Sequence, residues 1–342
     1  MIEPEMRRIS PKIMLLGLLL VLSLTISGWQ IIAHQYLPVA PNDQSVVEVR
    51  LPENSTARQV AALLKQNGLI RNEKVFLVYL YQKGMERQLK AGLYVFSKSQ
   101  SLPELAGQIS QGKVKSSTFT VPEGYTVRQI GELLISKQVC TQQQWTEALQ
   151  ASYNYDFLTP AKSGDEKHLE GFLFPDTYTI EEGTSAQNII NMMLGRFVTI
   201  WSQEYATIAD AKQLGLRNTI IIASLIEKEA RVAEERKIIS RVIYNRLQKG
   251  MPLQIDATIL YSLGVHRDTV TYQDLATNSP YNTYKNLGLP PGPIASPGRA
   301  AIDAALNPET NNYYYYVAKG DGSHYFSSTY AEHLAAIKKY GH

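Results

Sequence analysis

The 342-residue chain lacks most of the residue patterns that mark common protein classes. Its single cysteine, Cys140, excludes an intramolecular disulfide. The 6 histidines are scattered without HExxH or comparable ligand spacing, so no metal site is predicted. No GxSxG, Walker or GxGxxG pattern occurs in a suitable strand–helix setting, and no cofactor is predicted. A net charge of +3 without a long basic run gives no support for nucleic-acid binding.

Charge is also absent from one long stretch near the N-terminus. Ile13–Ala33 is apolar without a single ionisable residue, and about 20 such residues span a bilayer as a helix. Three cations, Arg7, Arg8 and Lys12, precede it. Because positively charged flanks stay in the cytoplasm, the pattern predicts a cytoplasmic N-terminus with the remainder of the chain outside.

The alternative for this stretch is a cleaved signal peptide. No small-residue, A-x-A-like cleavage site follows it, which favours an uncleaved anchor. We therefore predict a cytoplasmic tail at 1–12, a transmembrane helix at 13–33 and a linker at 34–45. The protein is then a single-pass protein of the cytoplasmic (inner) membrane, with its bulk in the periplasmic or extracytoplasmic space.

An internal repeat follows the predicted linker. LPENSTARQVAALL at 51–64 returns as VPEGYTVRQIGELL at 121–134, with Pro, Glu, Thr, Arg, Gln and both leucines matched at one offset. Each copy predicts a short strand, a turn and a helix that begins at a Ser/Thr cap. Residues 75–81 and 102–109 are helical in pattern, and 92–96 (GLYVF) is strand-like.

The strand–helix–helix–strand order of the first copy resembles LysM modules, which bind polymers of N-acetylglucosamine. We predict a LysM-like module at 46–120. The alternative is that these elements only pack against one another and bind no ligand.

The stretch TIIIASLIEKEA at 219–230 predicts an apolar helix with two glutamates near its end. At about 100° per residue, Glu229 shares a stripe with Ile222, Leu225 and Ile226, which points its side chain towards the core. A carboxyl held there binds its proton more tightly. Such a carboxyl, at the lip of a pocket, meets the requirement for a general acid near neutral pH.

The other glutamate has a different predicted environment. Glu227 lies about 200° from Glu229 on the helical period, beside Ser224 and Arg231, so it is predicted to face solvent. The structural alternative for Glu229 is an ordinary helix-end carboxylate paired with Arg231 or Arg236.

The remaining chain is mostly helical in pattern. Helices are predicted at 142–149, 186–206, 238–247 and 330–340, with a break near Val232. Tyr313–Tyr316 and the aromatic residues after Gly320-Asp-Gly predict a hairpin, with the tyrosines as core. Asp256 is predicted to cap a short helix.

A set of motifs carries a resemblance to a known family. In order, they are LEGFLFPDTY (169–178), ASLIEKEA (223–230), NRL (245–247), GMPLQIDATILYSLG (250–264), SPYNTY (279–284) and GLPPGPIASPG (288–298). Together they resemble the YceG-like family of endolytic murein transglycosylases. The resemblance implies a catalytic domain at 121–342. The expected fold class is α+β: an N-terminal transmembrane helix, a LysM-like α/β module and a mostly helical mixed catalytic domain with a C-terminal β-hairpin.

The resemblance also implies a reaction. The enzyme would be a lyase that cuts the MurNAc–GlcNAc bond within nascent peptidoglycan strands, leaves 1,6-anhydroMurNAc ends and ends glycan elongation. The family's catalytic glutamate, the second of E-K-E, corresponds to Glu229, which would supply both acid and base. Candidates for holding sugar are Gln254, Tyr281, Asn282 and Tyr284. The expected partners are glycan strands and the membrane, with peptidoglycan synthases as further candidates.

Two other functions are also compatible with the sequence. A hydrolytic muramidase would use Asp176 or Asp256 as a second carboxylate and leave reducing ends. A non-catalytic anchor would bind wall glycan through its strand–helix units, with Glu229 only structural. We favour the enzyme because the motifs concentrate around Glu229 and not around the repeats.

Overall fold

The computed structural model describes residues 11–158, 166–265, 267 and 269–340. The chain divides into two compact units, Met1–Ser117 and Thr118–His342. The predicted mixed α+β class is confirmed: the structure is mostly helical, with small two-stranded sheets.

The first element is the helix α1 (Pro11–Tyr36). Its segment Leu18–Tyr36 has a mean hydropathy of 1.4 and is not buried, and in the described part of the chain no other helix is long and apolar enough to cross a membrane. The helix runs beyond the predicted end at residue 33 because no helix breaker occurs before Pro38. Arg7 and Arg8, on which the predicted orientation depends, lie outside the described residues.

The rest of the first unit is one strand–helix–helix–strand motif followed by a helix. Its elements are β1 (Val46–Leu51), α2 (Ala57–Gln66), α3 (Glu73–Lys83), β2 (Gly92–Ser97) and α4 (Leu102–Gln111). The two strands are antiparallel, with Val46 opposite Ser97 and Leu51 opposite Gly92. The predicted linker is not free, since the Arg71 guanidinium donates to the carbonyls of Leu37 and Val39.

The second unit contains the remaining elements. They are β3 (Ser116–Thr120, which begins just before the unit), α5 (Val127–Ser136), α6 (Gln142–Leu149), β4 (Thr177–Glu181), α7 (Ala186–Ile200), α8 (Ala206–Ala211), α9 (Leu216–Glu229), α10 (Arg236–Gln248), α11 (Asp256–Leu263), α12 (Tyr272–Leu275), α13 (Arg299–Leu306), β5 (Tyr315–Ala318), β6 (His324–Ser327) and α14 (Tyr330–Tyr340). The long helix predicted at 186–206 is interrupted by a π-helical turn, Trp201–Tyr205, between α7 and α8. Helix α9 packs against α10 and α13 in the core.

The predicted repeat is confirmed as a repeat of structure. Thr56 and Thr126 cap α2 and α5 with matching capping boxes, in which Gln59 and Gln129 return the hydrogen bond. The second copy also continues as strand–helix–helix–strand. Its β3 and β4 are joined by side-chain contacts between threonines, at 3.3 Å for Thr118–Thr179 and 2.8 Å for Thr120–Thr177. Strand β3, assigned in the prediction to the first module, therefore pairs within the second copy.

Backbone conformation repeats as well. Asn54 (φ 58°) and Gly124 (φ 75°) occupy the same left-handed position in the turns that follow β1 and β3. Gly68 (φ 67°) and Gln138 (φ 57°) do so after α2 and α5. A left-handed residue is common just after a helix end, because it lets the chain turn back sharply. The equivalence thus extends beyond the matched sequence motifs.

Candidate active site

Helix α9 is buried on all sides along most of its length. Every residue from Thr219 to Ile226 is buried, so the helix has no polar face there. Ser224, predicted to be polar and outward-facing, is 0% exposed. Its hydroxyl donates to Ile221 O (2.7 Å) and accepts from Ile294 N (3.1 Å). The prediction failed because a single helix period cannot show that other segments pack on both sides.

Glu227 is likewise not the solvent-facing residue that the periodicity predicted. Its Oε2 accepts a hydrogen bond of 3.0 Å from Gly298 N, in the Pro/Gly-rich loop. Burial, followed by the negative charge of Glu123, raises the pKa of Glu227. An added Cβ at Gly298 would lie 2.0 Å from the carboxyl of Glu123, so this exposed side chain would have to move to admit a larger residue. Glu227 therefore ties this loop to α9.

Glu229 is the last residue of α9, and its side chain reaches a cleft. The helix ends because Ala230 adopts an extended backbone (φ −78°, ψ 109°). Tyr316, on β5, donates its hydroxyl to Glu229 Oε2 at 2.7 Å. Burial is the largest effect on this carboxyl and raises its pKa above the ordinary value; the negative charge of Asp256 acts in the same direction, while the Tyr316 hydrogen bond opposes both.

The cleft has a volume of about 1050 Å³ and lies within the second unit. Its walls come from the start of α5, the end of α9, the segment around α11, the β5–β6 hairpin and α14. Lining residues include Arg128, Arg231, Gln254, Tyr284, Tyr315 and His324. A cleft of this size with a protonatable carboxyl in its wall is suited to acid–base chemistry on a large polar ligand.

Arg246 is a buried cation beside this site. Its guanidinium donates to backbone carbonyls of Tyr314 (2.6 Å), Pro252 (3.1 Å) and Leu253 (2.8 Å). Burial lowers its pKa, whereas the negative charge of Glu229 raises it. The middle residue of the NRL motif thus fixes the hairpin to α10 and places positive charge near the carboxyl.

Two of the predicted sugar-holding residues line the cleft. Gln254 is exposed, has a left-handed backbone (φ 54°) and accepts a 3.2 Å hydrogen bond from Arg246. Tyr284 donates its hydroxyl to Asp256. Asp256 is the first residue of α11, and the N-cap position belongs to Ile255, which makes no side-chain capping hydrogen bond; the predicted role of Asp256 as the cap is therefore wrong.

The other two predicted sugar-holding residues are in the interior. Asn282 is 0% exposed; its amide nitrogen donates to Leu275 O (3.0 Å) and Thr277 O (2.8 Å), and its oxygen accepts from Tyr284 N (3.0 Å). Tyr281 is 6% exposed and packs on Tyr261 at 5.0 Å between ring centroids. Both pack within the SPYNTY loop, and neither is among the residues that line the cleft.

Asp176, the other candidate second carboxylate, lies outside the cleft. It accepts a 2.7 Å hydrogen bond from the Arg196 guanidinium. Partial burial raises the pKa of Asp176, but hydrogen bonds from Thr177 N and Arg196 outweigh this effect and lower it. Asp256 therefore remains the alternative carboxylate within the cleft.

Sequence reasoning missed Tyr316 and His324. The tyrosines of β5 were predicted as core, but Tyr315 and Tyr316 line the cleft. Nothing in a run of four tyrosines shows which ring meets the glutamate, because the contact joins residues far apart in the chain. Within the described ranges, no three His, Cys, Asp or Glu side chains come together as a metal site.

Comparisons with known proteins agree with these motifs. The model of the YceG-like family matches residues 49–339. The endolytic murein transglycosylase of Bacillus subtilis (strain 168) is 34% identical over 315 residues, which cover 89% of this chain and 87% of that protein. The Streptococcus pneumoniae (serotype 2, strain D39) protein of the same name is 35% identical over 334 residues. The match covers 90% of this chain and 60% of the Streptococcus protein. The crystal structure of a YceG-like protein from Listeria monocytogenes has a TM-score of 0.55 at 33% identity, covering 85% of this chain and 99% of the other.

Proposed function

Because the chain belongs to the YceG-like family, we propose that it is an endolytic murein transglycosylase with Glu229 as the catalytic residue. The observation that carries the proposal is a single carboxyl of raised pKa, hydrogen-bonded by Tyr316 and set in the wall of a large cleft. A protonated carboxyl at neutral pH can donate to a leaving oxygen.

In the proposed reaction, Glu229 first protonates the glycosidic oxygen between MurNAc and GlcNAc. The bond from that oxygen to C1 breaks, and positive charge develops on the muramyl ring. The carboxylate then takes the proton from the muramyl C6 hydroxyl as its oxygen bonds to C1, which closes a 1,6-anhydro ring. The sugar supplies its own nucleophile, held close by ring geometry, so no second carboxylate is required.

The neighbours of Glu229 suit both steps. After proton donation the group is a carboxylate, and the Tyr316 hydroxyl stabilises it by a charge-assisted hydrogen bond. The buried Arg246 adds favourable charge. Gln254 and Tyr284 reach the cleft and are our candidates for contacts with sugar, while Asn282 and Tyr281 are not retained.

The test is Glu229→Gln, which keeps size and hydrogen bonding but cannot cycle a proton. Cleavage of purified murein is expected to fall by roughly 10²–10⁴-fold, with folding intact. The matched control is Glu227→Gln, whose amide oxygen can still accept from Gly298 N. It is expected to retain most activity. Loss of cleavage in the control with retention in Glu229→Gln would refute the assignment.

The hydrolytic alternative is kept because Asp256 shares the cleft. As a base it would activate water, and the products would carry reducing ends. Asp256→Asn separates the two readings: a hydrolase loses activity with it, whereas the transglycosylase does not require this carboxylate.

We further propose that α1 is an uncleaved anchor in the cytoplasmic membrane and that the second unit acts outside the cytoplasm. A reporter that works only outside the cytoplasm, fused after His342, should be active. Activity of a cytoplasm-only reporter at that position would contradict this orientation.

The strand–helix–helix–strand motif of the first unit is proposed to be LysM-like and to retain the protein on glycan. Peptidoglycan synthases are proposed as partners in ending strand elongation. Deleting residues 46–115, which leaves β3 complete, should weaken retention on insoluble murein. Unchanged retention would favour a purely structural role.

A further inference from the structure

Glu235 and His324 form a buried acid–base pair in the second unit. Glu235 ends a 3₁₀ turn that follows α9, and His324 begins β6. The carboxylate binds the histidine twice: Oε1 accepts from His324 N at 2.9 Å, and Oε2 lies 2.7 Å from Nδ1. Both side chains are only 10% exposed. A carboxylate accepts hydrogen bonds, so Nδ1 carries the proton, and in the neutral ring Nε2 is left as an acceptor.

This pair adjoins the proposed catalytic carboxyl. His324 lines the same cleft as Glu229. The ring of Tyr316 meets the His324 ring edge-on, with 5.3 Å between centroids, and the Tyr316 hydroxyl bonds to Glu229. One aromatic side chain therefore separates the imidazole from the carboxyl, and both groups line the same cleft.

With the tautomer fixed, Nε2 can bind only a ligand group that donates a hydrogen bond. A hydroxyl can rotate to donate or to accept, so it would bind either tautomer equally well. An amide N–H can only donate, and it requires an acceptor. Among the functional groups of a murein glycan, the acetamido N–H on each sugar is such a donor.

We propose that Nε2 of His324 accepts a hydrogen bond from the acetamido N–H of the sugar bound beside Glu229, with Glu235 as the positioning residue that fixes the acceptor tautomer. The inference rests on the proposed function for its substrate class. It makes the cleft selective for sugars that carry an acetamido N–H over analogues that carry a hydroxyl at the same position.

The variant Glu235→Gln reverses the tautomer without removing a side chain. Its amide oxygen must replace Oε1, because that position accepts from His324 N. The amide NH₂ group then faces Nδ1 and donates to it, which moves the ring proton to Nε2. A donor would then face the acetamido N–H, and binding would lose a hydrogen bond.

The experiment measures binding to peptide-free murein glycan strands by calorimetry, in full-length protein carrying Glu229→Gln so that no cleavage occurs. Adding Glu235→Gln should raise the Kd roughly tenfold and should exchange the ¹⁵N signatures of the two ring nitrogens. With cello-oligosaccharides, strands whose C2 hydroxyl can donate or accept, the same substitution should leave the Kd unchanged. The control Glu234→Gln removes the neighbouring charge in the same turn, at an exposed position, and should alter neither readout.

A second variant covers a failure of Glu235→Gln to fold. His324→Phe, with Glu235 unchanged, keeps an aromatic ring against Tyr316 and leaves Glu235 Oε1 to accept from the backbone N–H at position 324. It should weaken binding of N-acetylated strands to the same extent. An unchanged Kd in a Glu235→Gln protein whose tautomer has reversed would overturn the proposal. Equal losses of affinity for both kinds of strand would also overturn it, as would a ring that carries its proton on Nε2 while Glu235 is still present. Because binding is measured without catalysis, a parent protein that binds in this way but forms no anhydro ends would refute only the proposed function.

Discussion

Removing the hydroxyl of Tyr316 tests how the carboxyl of Glu229 is controlled. Tyr316→Phe deletes one oxygen, the donor to Glu229 Oε2 at 2.7 Å, and leaves the ring in place. A hydrogen bond to a charged group contributes about 1.5–3 kcal/mol. If the bond forms fully only once Glu229 has given up its proton, this corresponds to a loss of roughly 10- to 150-fold in kcat.

The same substitution should move the pH profile in a defined direction. The Tyr316 hydrogen bond lowers the pKa of Glu229, so its removal raises that pKa further. The acid form of Glu229 starts the reaction, and activity is lost as pH rises through its pKa. The alkaline limb of the kcat/KM profile should therefore move to higher pH in Tyr316→Phe, even though the maximal rate falls.

The assay is release of soluble fragments from purified murein, followed from acidic to alkaline pH. The matched control is Tyr315→Phe, which lies on the same strand and keeps its ring stacked on His333 at 5.0 Å between centroids. It should leave the alkaline limb unchanged. If the rate of Tyr316→Phe stays within about twofold of the parent and the alkaline limb of its pH profile does not move, the Tyr316 hydroxyl does not control the carboxyl of Glu229.

The remaining predictions concern charge and packing. Asp256→Asn removes a negative charge that raises the pKa of the catalytic carboxyl, so the alkaline limb in the same assay should move to lower pH. Burial raises the pKa of Glu170 from 4.5 to about 8, so the stability it contributes is full below pH 4.5 and declines through pH 8. Glu170→Gln should remove this decline, about 1.4 kcal/mol per pH unit, in denaturant unfolding measured across pH. A Cβ added at Gly131 would lie 2.2 Å from Trp145 Nε1, and Gly131→Ala should cost about 1–3 kcal/mol by the same measurement. At Gly107, where an added Cβ meets nothing within 4 Å, the same change should be neutral or stabilising.

Most elements of the fold could be predicted because their signals are local. The caps at Thr56 and Thr126, the hairpin at 320–322 and the helices at 142–149 and 330–340 each depend on residues close together in the chain. The repeat predicted the start of the second strand–helix–helix–strand copy. Its last strand, β4, is separated from α6 by a long connection, and nothing in the sequence spacing indicated that β4 pairs with β3.

The candidate site was predictable only in part, for a related reason. The stripe of α9 predicted a desolvated Glu229 carboxyl, and burial is the largest effect on the pKa of that carboxyl. The helix is buried on all sides, however, so the stripe did not separate an inner face from an outer one. The predicted solvent exposure of Glu227 was wrong because the loop at Gly298, distant in sequence, packs over this side chain. The same limit applies to Tyr316, which meets Glu229 through tertiary packing. Asn282 resembles a ligand-binding residue by type, but its amide is used by backbone groups of its own loop.

The central claim is that one carboxyl cuts glycan strands by closing a ring within the sugar. The most direct measurement is the mass of the muramyl ends produced from purified murein by the parent protein, alongside Glu229→Gln. The parent should produce ends one water lighter than reducing ends, in 1,6-anhydro form, and the variant almost none. Reducing ends of full mass from the parent, or anhydro ends at the parental rate from Glu229→Gln, would contradict the claim.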